Sequence, residues 1–339
     1  MLSEESLELI VQDHLAELEW QAGHGPDFAP GSGERDTWND IVLRGRLHNA
    51  VRNLNPGVPE EYLDQAIGEV ITPKSQSAIA ENRRIHQILV EGYRGIEYID
   101  HEGNVQNPTI YFLSSQPHKN DYLSLNQVTI ANLDGERRFD VVCYVNGMPL
   151  AFIELKKTGA NTSVEGAYNQ LQTYVKEFGM AFRFANIVIP SDDLSAKYGT
   201  PFTPWNHFAP WNVDEDGSPI DPNNMVVAGE PVTQLDLLLD GLFNVERFGQ
   251  LYSDFTAFDD TAEGLVMRIA KPHQYFAVTK AVGSTITAAR GDKRAGVIWH
   301  TTGAGKSMEM ELYTAKIMRR SEMLSPTVIV LNDRTELDE

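Results

Sequence analysis

The sequence predicts an α/β protein, in which an α+β unit with a central mixed sheet flanked by helices precedes the start of a second unit. Three observations favour this class. Helical periodicity over the first 91 residues gives way, from Tyr93 onwards, to the two-residue alternation of strands. The segment 137–157 is typical of a buried hairpin, because two apolar, β-rich runs flank an Asn-Gly turn. Residues 295–332 follow the order strand, glycine-rich loop, helix, strand.

Length, charge and cysteine content limit the classes of protein that fit. A chain of 339 residues is long enough for two domains of ordinary size. Its formal net charge of −20 argues against a free-standing binder of duplex nucleic acid, although a basic groove or a basic partner subunit is not excluded. Cys143 is the single cysteine, so no intrachain disulfide can form. With an acidic start and no run of about 20 apolar residues, the sequence predicts a cytoplasmic protein without a membrane span.

The first unit is predicted to begin with helices and to continue with strands. Helical patterns cover about 3–18, 36–54, 59–71, 75–91 and 161–178, and strand patterns cover about 95–113, 122–145, 148–157 and 184–190. A segment rich in Pro, Asn and Trp, 199–233, is predicted to be a surface excursion. We expect Trp205 and Trp211 to pin it to the core, with a binding surface as the alternative. A helix over 234–255 follows.

Charged side chains occupy the predicted hairpin where core residues are expected. Asp140 lies in the first strand, and Glu154 and Lys156 share one face of the second. A three-residue loop, 146–148, would set Asp140 opposite Glu154, whereas an even loop without a bulge would place them on different faces. Two buried carboxylates are costly unless a divalent cation bridges them. The pattern is therefore consistent with a metal site, where Lys156 would orient or deprotonate a water molecule or stabilise developing phosphate charge. Because so short a pattern is common, a salt-bridged hairpin without a catalytic role is the alternative that these residues alone favour.

The loop "TTGAGKS" has the composition and the context of a phosphate-binding site. Backbone N–H groups and the N-terminus of the following helix would hold the phosphates. Lys306 would reach the β- and γ-phosphates, Ser307 would bind Mg²⁺, and His300 stands where the full Walker A pattern has a glycine. The predicted nucleotide contacts in the loop are Thr302, Gly303, Ala304, Gly305, Lys306 and Ser307.

These motifs together resemble one family of enzymes. "FD…IELK" is similar to the catalytic motif of the PD-(D/E)xK nucleases in their RecB-like form, with Phe139 in place of the proline, and "QLQTY" matches the Gln-x-x-x-Tyr motif of that branch. The stretches "VNGMPLAFIELKK", "AYNQLQTYV", "LNPGVPEE" and "ENRRIHQILVEGY" resemble the motor (R) subunit of type I restriction enzymes. The order of the motifs, a nuclease before a superfamily 2 translocase, is also similar to that family.

The resemblance implies roles for the charged residues. Asp140 and Glu154 would bind Mg²⁺, and the carbonyl of Leu155 would be a third ligand. Glu81 is the candidate for an upstream helix acid that completes the metal site. Lys156 would assist the water molecule that attacks a DNA phosphodiester.

Three more residues gain roles from the resemblance. Gln170 and Tyr174 lie four residues apart on one helix face, and they would position the scissile backbone or support the metal ligands. "KPHQYFAV" is similar to the adenine-reading segment of the translocase, with Gln274 in the reading position.

The resemblance also implies the organisation of the chain. It places a PD-(D/E)xK endonuclease domain at 1–258 and the first βαβ unit of an incomplete RecA-like motor domain at 259–339, as the front of a longer subunit. ATP with Mg²⁺ would be the motor's cofactor, but we expect no ATP hydrolysis from these residues alone. Double-stranded DNA would be the substrate, and the methylation and specificity subunits would be partners that supply sequence recognition.

Two other functions stay open at this point. The first is a nuclease-fold docking arm that does not cut DNA, which would have no reason to keep Asp140, Glu154 and Lys156 together. The second is a nucleotide-binding protein whose hairpin is purely structural, in which loss of Lys306 would abolish function while the hairpin charges would be dispensable.

Overall fold

The computed structural model describes residues 3–133, 135–157, 163–192, 194–221, 225–227 and 229–331. The helices are α1 Glu4–Glu17, α2 Arg44–Leu54, α3 Glu60–Ile71, α4 Ala78–Glu91, α5 Val164–Glu177, α6 Gln234–Phe243, α7 Val245–Asp254, α8 Pro272–Arg290 and α9 Lys306–Met318. The strands are β1 Gln21–His24, β2 Tyr98–Ile99, β3 Val105–Gln106, β4 Tyr122–Asn132, β5 Gly135–Val145, β6 Met148–Leu155, β7 Ile187–Ser191, β8 Val226–Val227, β9 Glu230–Pro231, β10 Thr256–Thr261 and β11 Gly264–Ile269.

A five-stranded mixed sheet in the order β1-β4-β5-β6-β7 lies at the centre of the fold. β1 pairs with β4 in parallel, as β6 does with β7, while β4, β5 and β6 pair antiparallel. Helix α1 contacts β1, β4 and β6, and α5 contacts β6 and β7. All eight residues of β6 are consequently buried. The predicted α/β class with a central mixed sheet is confirmed, and the charged hairpin lies in the middle of that sheet.

The turn of the hairpin is shorter than predicted, although Asp140 still lies opposite Glu154. Asn146 and Gly147 form a two-residue turn with φ angles of 52° and 76°, so the predicted three-residue loop is wrong. Leu150 is an extra residue in β6, where the register shifts at a β-bulge. Because the bulge compensates for the even loop, the register beyond it sets Asp140 opposite Glu154.

Packing around the turn explains why the loop is short. Leu43 N donates a hydrogen bond of 2.9 Å to Gly147 O, and a Cβ at position 147 would lie 2.4 Å from Leu43 O. The buried Asn146 side chain donates to Phe112 O and accepts from Asp121 N. These contacts come from distant parts of the chain, so tertiary packing holds the turn in this conformation.

Helix α1 is tied to α6 by His14. Its Nε2 lies 2.7 Å from Asp240 Oδ1, and its Nδ1 lies 3.6 Å from Asp236 Oδ1. Hydrogen bonds with Asp236 and Asp240 raise the pKa of His14 to about 9, although burial opposes the shift. The link holds α1 in place next to the central sheet.

We expect this link to be lost in alkali. Because the pKa of His14 is raised above its ordinary value of 6.5, its stabilising effect is complete below that pH and disappears as the pH rises through about 9. His14→Gln should lower the free energy of unfolding by about 2 kcal/mol near pH 6.5, allowing for the partly exposed aspartates, and by much less near pH 10. Urea denaturation at both pH values measures the difference. The control is His101→Gln, at a side chain that is 92% exposed; a loss for His14→Gln that does not change with pH would contradict the assignment.

The two tryptophans of the long excursion are pinned to the core, as predicted. Trp211 is 1% exposed, and its ring centroid lies 5.9 Å from that of Tyr198 and 6.0 Å from that of Tyr275. Trp205 packs on Tyr168 of α5, with ring centroids 5.2 Å apart. These contacts favour the structural role over the alternative of a binding surface.

The described residues on both sides of the predicted domain boundary share one buried apolar cluster, which extends from Leu7 to Ile317. The boundary at 258–259 falls inside β10, and β10 pairs along its length with β11. Arg83 on α4 also forms an ion pair of 2.8 Å with Asp260 on β10. The division into two domains stays a prediction. The packing of the described residues is continuous across this position.

The predicted βαβ unit is present only in part. Helix α9 follows the glycine-rich loop as expected, but residues 295–300 and 327–331 form no strand in the structure. Val297, Trp299 and Leu331 are 92%, 83% and 90% exposed. A strand needs neighbouring strands for its hydrogen bonds and a packed surface for its apolar side chains. The prediction of these two strands is therefore not met within the described residues.

In the described part of the chain, no helix combines the length and the apolar character that a membrane span requires.

Candidate active site

The charged end of the central hairpin forms the candidate active site. Glu154 is 1% exposed, and its Oε1 accepts a hydrogen bond of 2.8 Å from Lys156 Nζ. Asp140 is partly buried, and its Oδ2 accepts a hydrogen bond of 2.7 Å from Leu155 N. The structure thus brings together Asp140, Glu154 and Lys156, as the hairpin register predicts.

One buried oxygen of this site has no partner in the described structure. Glu154 Oε2 is shielded from solvent and makes no hydrogen bond there. The carbonyl oxygen of Leu155 lies nearby, 3.4 Å from Lys156 Nζ. An unpartnered buried carboxylate oxygen is costly, and binding a cation is one of the few ways to stabilise it.

The pKa values of the two carboxyl groups reflect this crowding. Burial, and then the charge of Asp140, raise the pKa of Glu154 to about 8, although Lys156 opposes the shift. Burial also raises the pKa of Asp140. For Lys156, burial acts to lower the pKa, but the charge of Glu154 and their hydrogen bond leave it raised. Without a cation, the site therefore retains protons near neutral pH.

Helix α1 contributes acids that the sequence analysis missed. Glu8 is 3% exposed, and its Oε2 accepts a hydrogen bond of 3.4 Å from Asn126 Nδ2 on β4. Burial, followed by the charge of Asp140, raises the pKa of Glu8 to about 7. The charge of Glu4, one turn earlier, raises the pKa of both Asp140 and Glu154. The sequence offered one signal of this contribution, because the first helix is acidic and Glu4 and Glu8 lie four residues apart on one of its faces.

Glu81 does not take the place predicted for it. It is 1% exposed on α4, and its Oε2 forms an ion pair of 2.7 Å with Arg84 Nη2. Burial alone would raise the pKa of Glu81, but hydrogen bonds with Arg84 and with the backbone of Lys74 and Ser75 lower it. Its contacts hold the start of α4 to the preceding loop, so the geometry does not support Glu81 as a metal ligand.

Helix α5 brings Gln170 and Tyr174 to the site. Ser163 caps this helix by accepting a hydrogen bond from Gly166 N. Gln170 Nε2 donates to the phenol oxygen of Tyr174. The ring of Tyr174 packs against Phe139, the residue before Asp140, with ring centroids 5.3 Å apart. Burial, and then the charge of Glu154, raise the pKa of Tyr174.

The predicted nucleotide loop is a separate, mostly exposed region. Gly305, with φ 85°, begins α9, and Lys306 Nζ donates to Thr301 O at 2.9 Å and to His300 O at 3.2 Å. Gln274 Nε2 lies 3.3 Å from the carbonyl oxygens of Ala304 and of Gly305. Gln274 therefore contacts the loop, while Lys306 bonds to its own loop, and the adenine-reading role of Gln274 stays a prediction. The exposed loop residues are Thr302, Gly303, Gly305, Lys306 and Ser307.

Comparison with known proteins identifies relatives for both regions. Residues 1–207 match the family model described as the type I restriction enzyme R protein N terminus, and residues 273–339 match one described as SWI2/SNF2 ATPase. The type I restriction enzyme HindI endonuclease subunit of Haemophilus influenzae is 31% identical over 100% of this chain and 32% of its own length. The MjaIXP endonuclease subunit of Methanocaldococcus jannaschii is 30% identical over 96% of this chain and 32% of its own length. The chain spans about a third of the length of these relatives.

Proposed function

Since the chain belongs to the family described as the type I restriction enzyme R protein N terminus, we propose that it carries the Mg²⁺-dependent nuclease site of a restriction endonuclease subunit. The observation that carries this proposal is the carboxylate cluster at the end of the hairpin, in which Asp140 Oδ2 accepts a hydrogen bond from Leu155 N and the buried Glu154 Oε2 has no partner in the described residues. The name of the HindI relative as an endonuclease subunit supports the same conclusion.

The oxygens of this cluster fit Mg²⁺. Carboxylates and a backbone carbonyl are the ligands that this hard cation prefers. We assign Asp140, Glu154 and the carbonyl of Leu155 as ligands, with Glu8 of α1 in the place first predicted for Glu81. When bound, the cation would lower the pKa of a coordinated water and stabilise charge on the phosphate.

Lys156 acts through its charge in the proposed reaction. Its raised pKa keeps the ammonium group protonated at neutral pH, so it is suited to stabilise negative charge on the phosphate rather than to remove a proton. Hydrolysis adds the attacking water oxygen to phosphorus, breaks one P–O ester bond and transfers a proton to the released alcohol. Tyr174 and its partner Gln170 are positioning residues that orient Glu154 and the DNA backbone.

The glycine-rich loop is proposed to bind ATP with Mg²⁺ when it is part of a subunit as long as the relatives. The match of residues 273–339 to an ATPase family supports this role. Lys306 would leave the carbonyls of His300 and Thr301 to reach the phosphates, while Gln274 would read the adenine. Because Lys306 bonds to its own loop and the flanking strands are unformed, we expect no DNA-stimulated ATP hydrolysis from this chain.

ATP-driven translocation would then deliver double-stranded DNA to the nuclease site. The methylation and specificity subunits of a type I complex are the partners we propose for sequence recognition. A basic surface on those partners would also balance the net charge of −20 on this chain.

Metal binding tests the proposed site. We expect Mn²⁺, as a probe for Mg²⁺, to bind to this chain at one site, with affinity reduced at least about 10-fold by Asp140→Asn or Glu8→Gln, because each removes a charged oxygen ligand. Glu81→Gln is the matched control, since Glu81 is an equally buried acid on another helix. Calorimetric titration at pH 8 measures the affinities. If Glu81→Gln weakens binding and Glu8→Gln does not, the proposed ligand set is wrong.

A further inference from the structure

A second group of potential ligands lies beside the glycine-rich loop, among residues with no assigned role in DNA cleavage. His273 comes from the first turn of α8, His300 from the segment before the loop, and Glu309 from the first turn of α9. One nitrogen from each imidazole and one oxygen of Glu309 all lie within 4.8 Å of one another. Three segments separated in sequence therefore converge on one point.

The hydrogen bond of His273 orients it for binding a cation. Its Nε2 lies 2.9 Å from the carbonyl oxygen of Ala304. A carbonyl only accepts hydrogen bonds, so Nε2 carries the proton, and in the neutral imidazole Nδ1 keeps its lone pair. Metal-binding histidines commonly donate their other N–H to a backbone carbonyl, which fixes the ring.

Glu309 supplies a buried negative charge at the same point. It is 2% exposed, and its Oε1 lies 2.7 Å from His300 Nδ1. Among the described residues, Glu309 forms its ion pair with this histidine, His300. A buried carboxylate is stable when it is paired or binds a metal, and a divalent cation can replace the shared proton.

We propose that His273, His300 and Glu309 form a binding site for a divalent cation of the Zn²⁺ type. Two imidazoles and one carboxylate suit Zn²⁺, with bonds of about 2.0–2.2 Å and a fourth position for water. The Mg²⁺ site proposed above offers only oxygens, so the two sites select different cations. A cation here would join α8 to α9 and hold the glycine-rich loop, through Ala304, in the conformation described.

Metal titration of this chain, freed of metal by a chelator, tests the proposal. Co²⁺ serves as the spectroscopic probe, and Zn²⁺ affinity is measured in competition with a chromophoric chelator. We expect one Zn²⁺ per chain at this site and an intense visible Co²⁺ band, indicating low coordination. Because each substitution removes one of three ligands, His273→Gln, His300→Gln and Glu309→Gln should each weaken Zn²⁺ binding by at least about 10-fold and reduce the band.

Two controls separate this site from the others in the chain. His101→Gln removes an exposed histidine, and Asp140→Asn disables the proposed Mg²⁺ site; both should retain the Co²⁺ band and the Zn²⁺ affinity. The proposal is overturned if the three ligand variants bind like His101→Gln, or if Asp140→Asn alone abolishes binding. Circular dichroism verifies folding, and if Glu309→Gln is unfolded, the variants His273→Gln and His300→Gln, at partly exposed side chains, decide the outcome.

Discussion

Replacing Asp140, Glu154 or Lys156 with alanine in the complete restriction enzyme is expected to reduce DNA cleavage by about 10³-fold or more, while ATP hydrolysis continues. Each change removes a proposed metal ligand or the ammonium group 2.8 Å from Glu154 Oε1. Groups that act as a unit lose most of the rate when one of them is lost. Cleavage, ATP hydrolysis and strand displacement should be measured in parallel for every variant.

Three further variants make this test specific. Glu136→Ala removes an exposed acid from the same strand as Asp140, and cleavage should be unchanged. Lys306→Ala should abolish ATP hydrolysis, and cleavage should then fall because no DNA is delivered. Gln170→Ala should cut more slowly but keep its metal. Wild-type cleavage by Glu154→Ala would contradict the proposed nuclease site.

Glu154→Gln is expected to stabilise the metal-free chain at alkaline pH. The pKa of Glu154 is raised from 4.5 to about 8, so the folded chain holds a proton that the unfolded chain releases between these values. Stability contributed by this group therefore falls as the pH rises from about 4.5 to about 8. Since Gln stays neutral, the variant should gain on the order of 3 kcal/mol relative to the wild type near pH 8.5 and little near pH 4.5.

Urea denaturation in the presence of EDTA measures this difference. Glu136→Gln, at an exposed acid of β5, is the control and should show no such dependence on pH. Saturating Mn²⁺ should stabilise the wild type but not Glu154→Gln, because a ligand that binds only the folded state stabilises it. A stability difference that stays constant between pH 4.5 and 8.5 would show that burial does not raise the pKa of Glu154.

These experiments also distinguish the two alternative functions. A docking arm that does not cut DNA would tolerate Asp140→Ala in every assay. A nucleotide-binding protein with a structural hairpin would lose function with Lys306→Ala alone. The carboxylate cluster and the unpartnered Glu154 Oε2 argue against both, because a structural hairpin is more stable without them.

The sequence by itself determined the elements whose cause is local. Strand alternation and the Asn-Gly dipeptide predicted the hairpin itself, whereas the placement of Asp140 opposite Glu154 depended on the bulge at Leu150. The four-residue spacing of Gln170 and Tyr174 predicted their contact on α5, which the hydrogen bond between them shows. Spacing within one element fixes such contacts before the rest of the chain packs.

Only the tertiary structure decided which distant groups meet. Glu8 and Glu81 are both buried helix acids, but α1 packs against β4 and β6 while Glu81 pairs with Arg84, so it is the pKa of Glu8 that the charge of Asp140 raises. The residue before α2, Leu43, packs against the turn at Gly147, and the bulge at Leu150 restores the register beyond it. In the described residues, the apolar segments around the glycine-rich loop form no strands, because a strand forms only where neighbouring strands complete its hydrogen bonds. Sequence periodicity shows which face of an element is apolar, but it does not show which other element packs against that face.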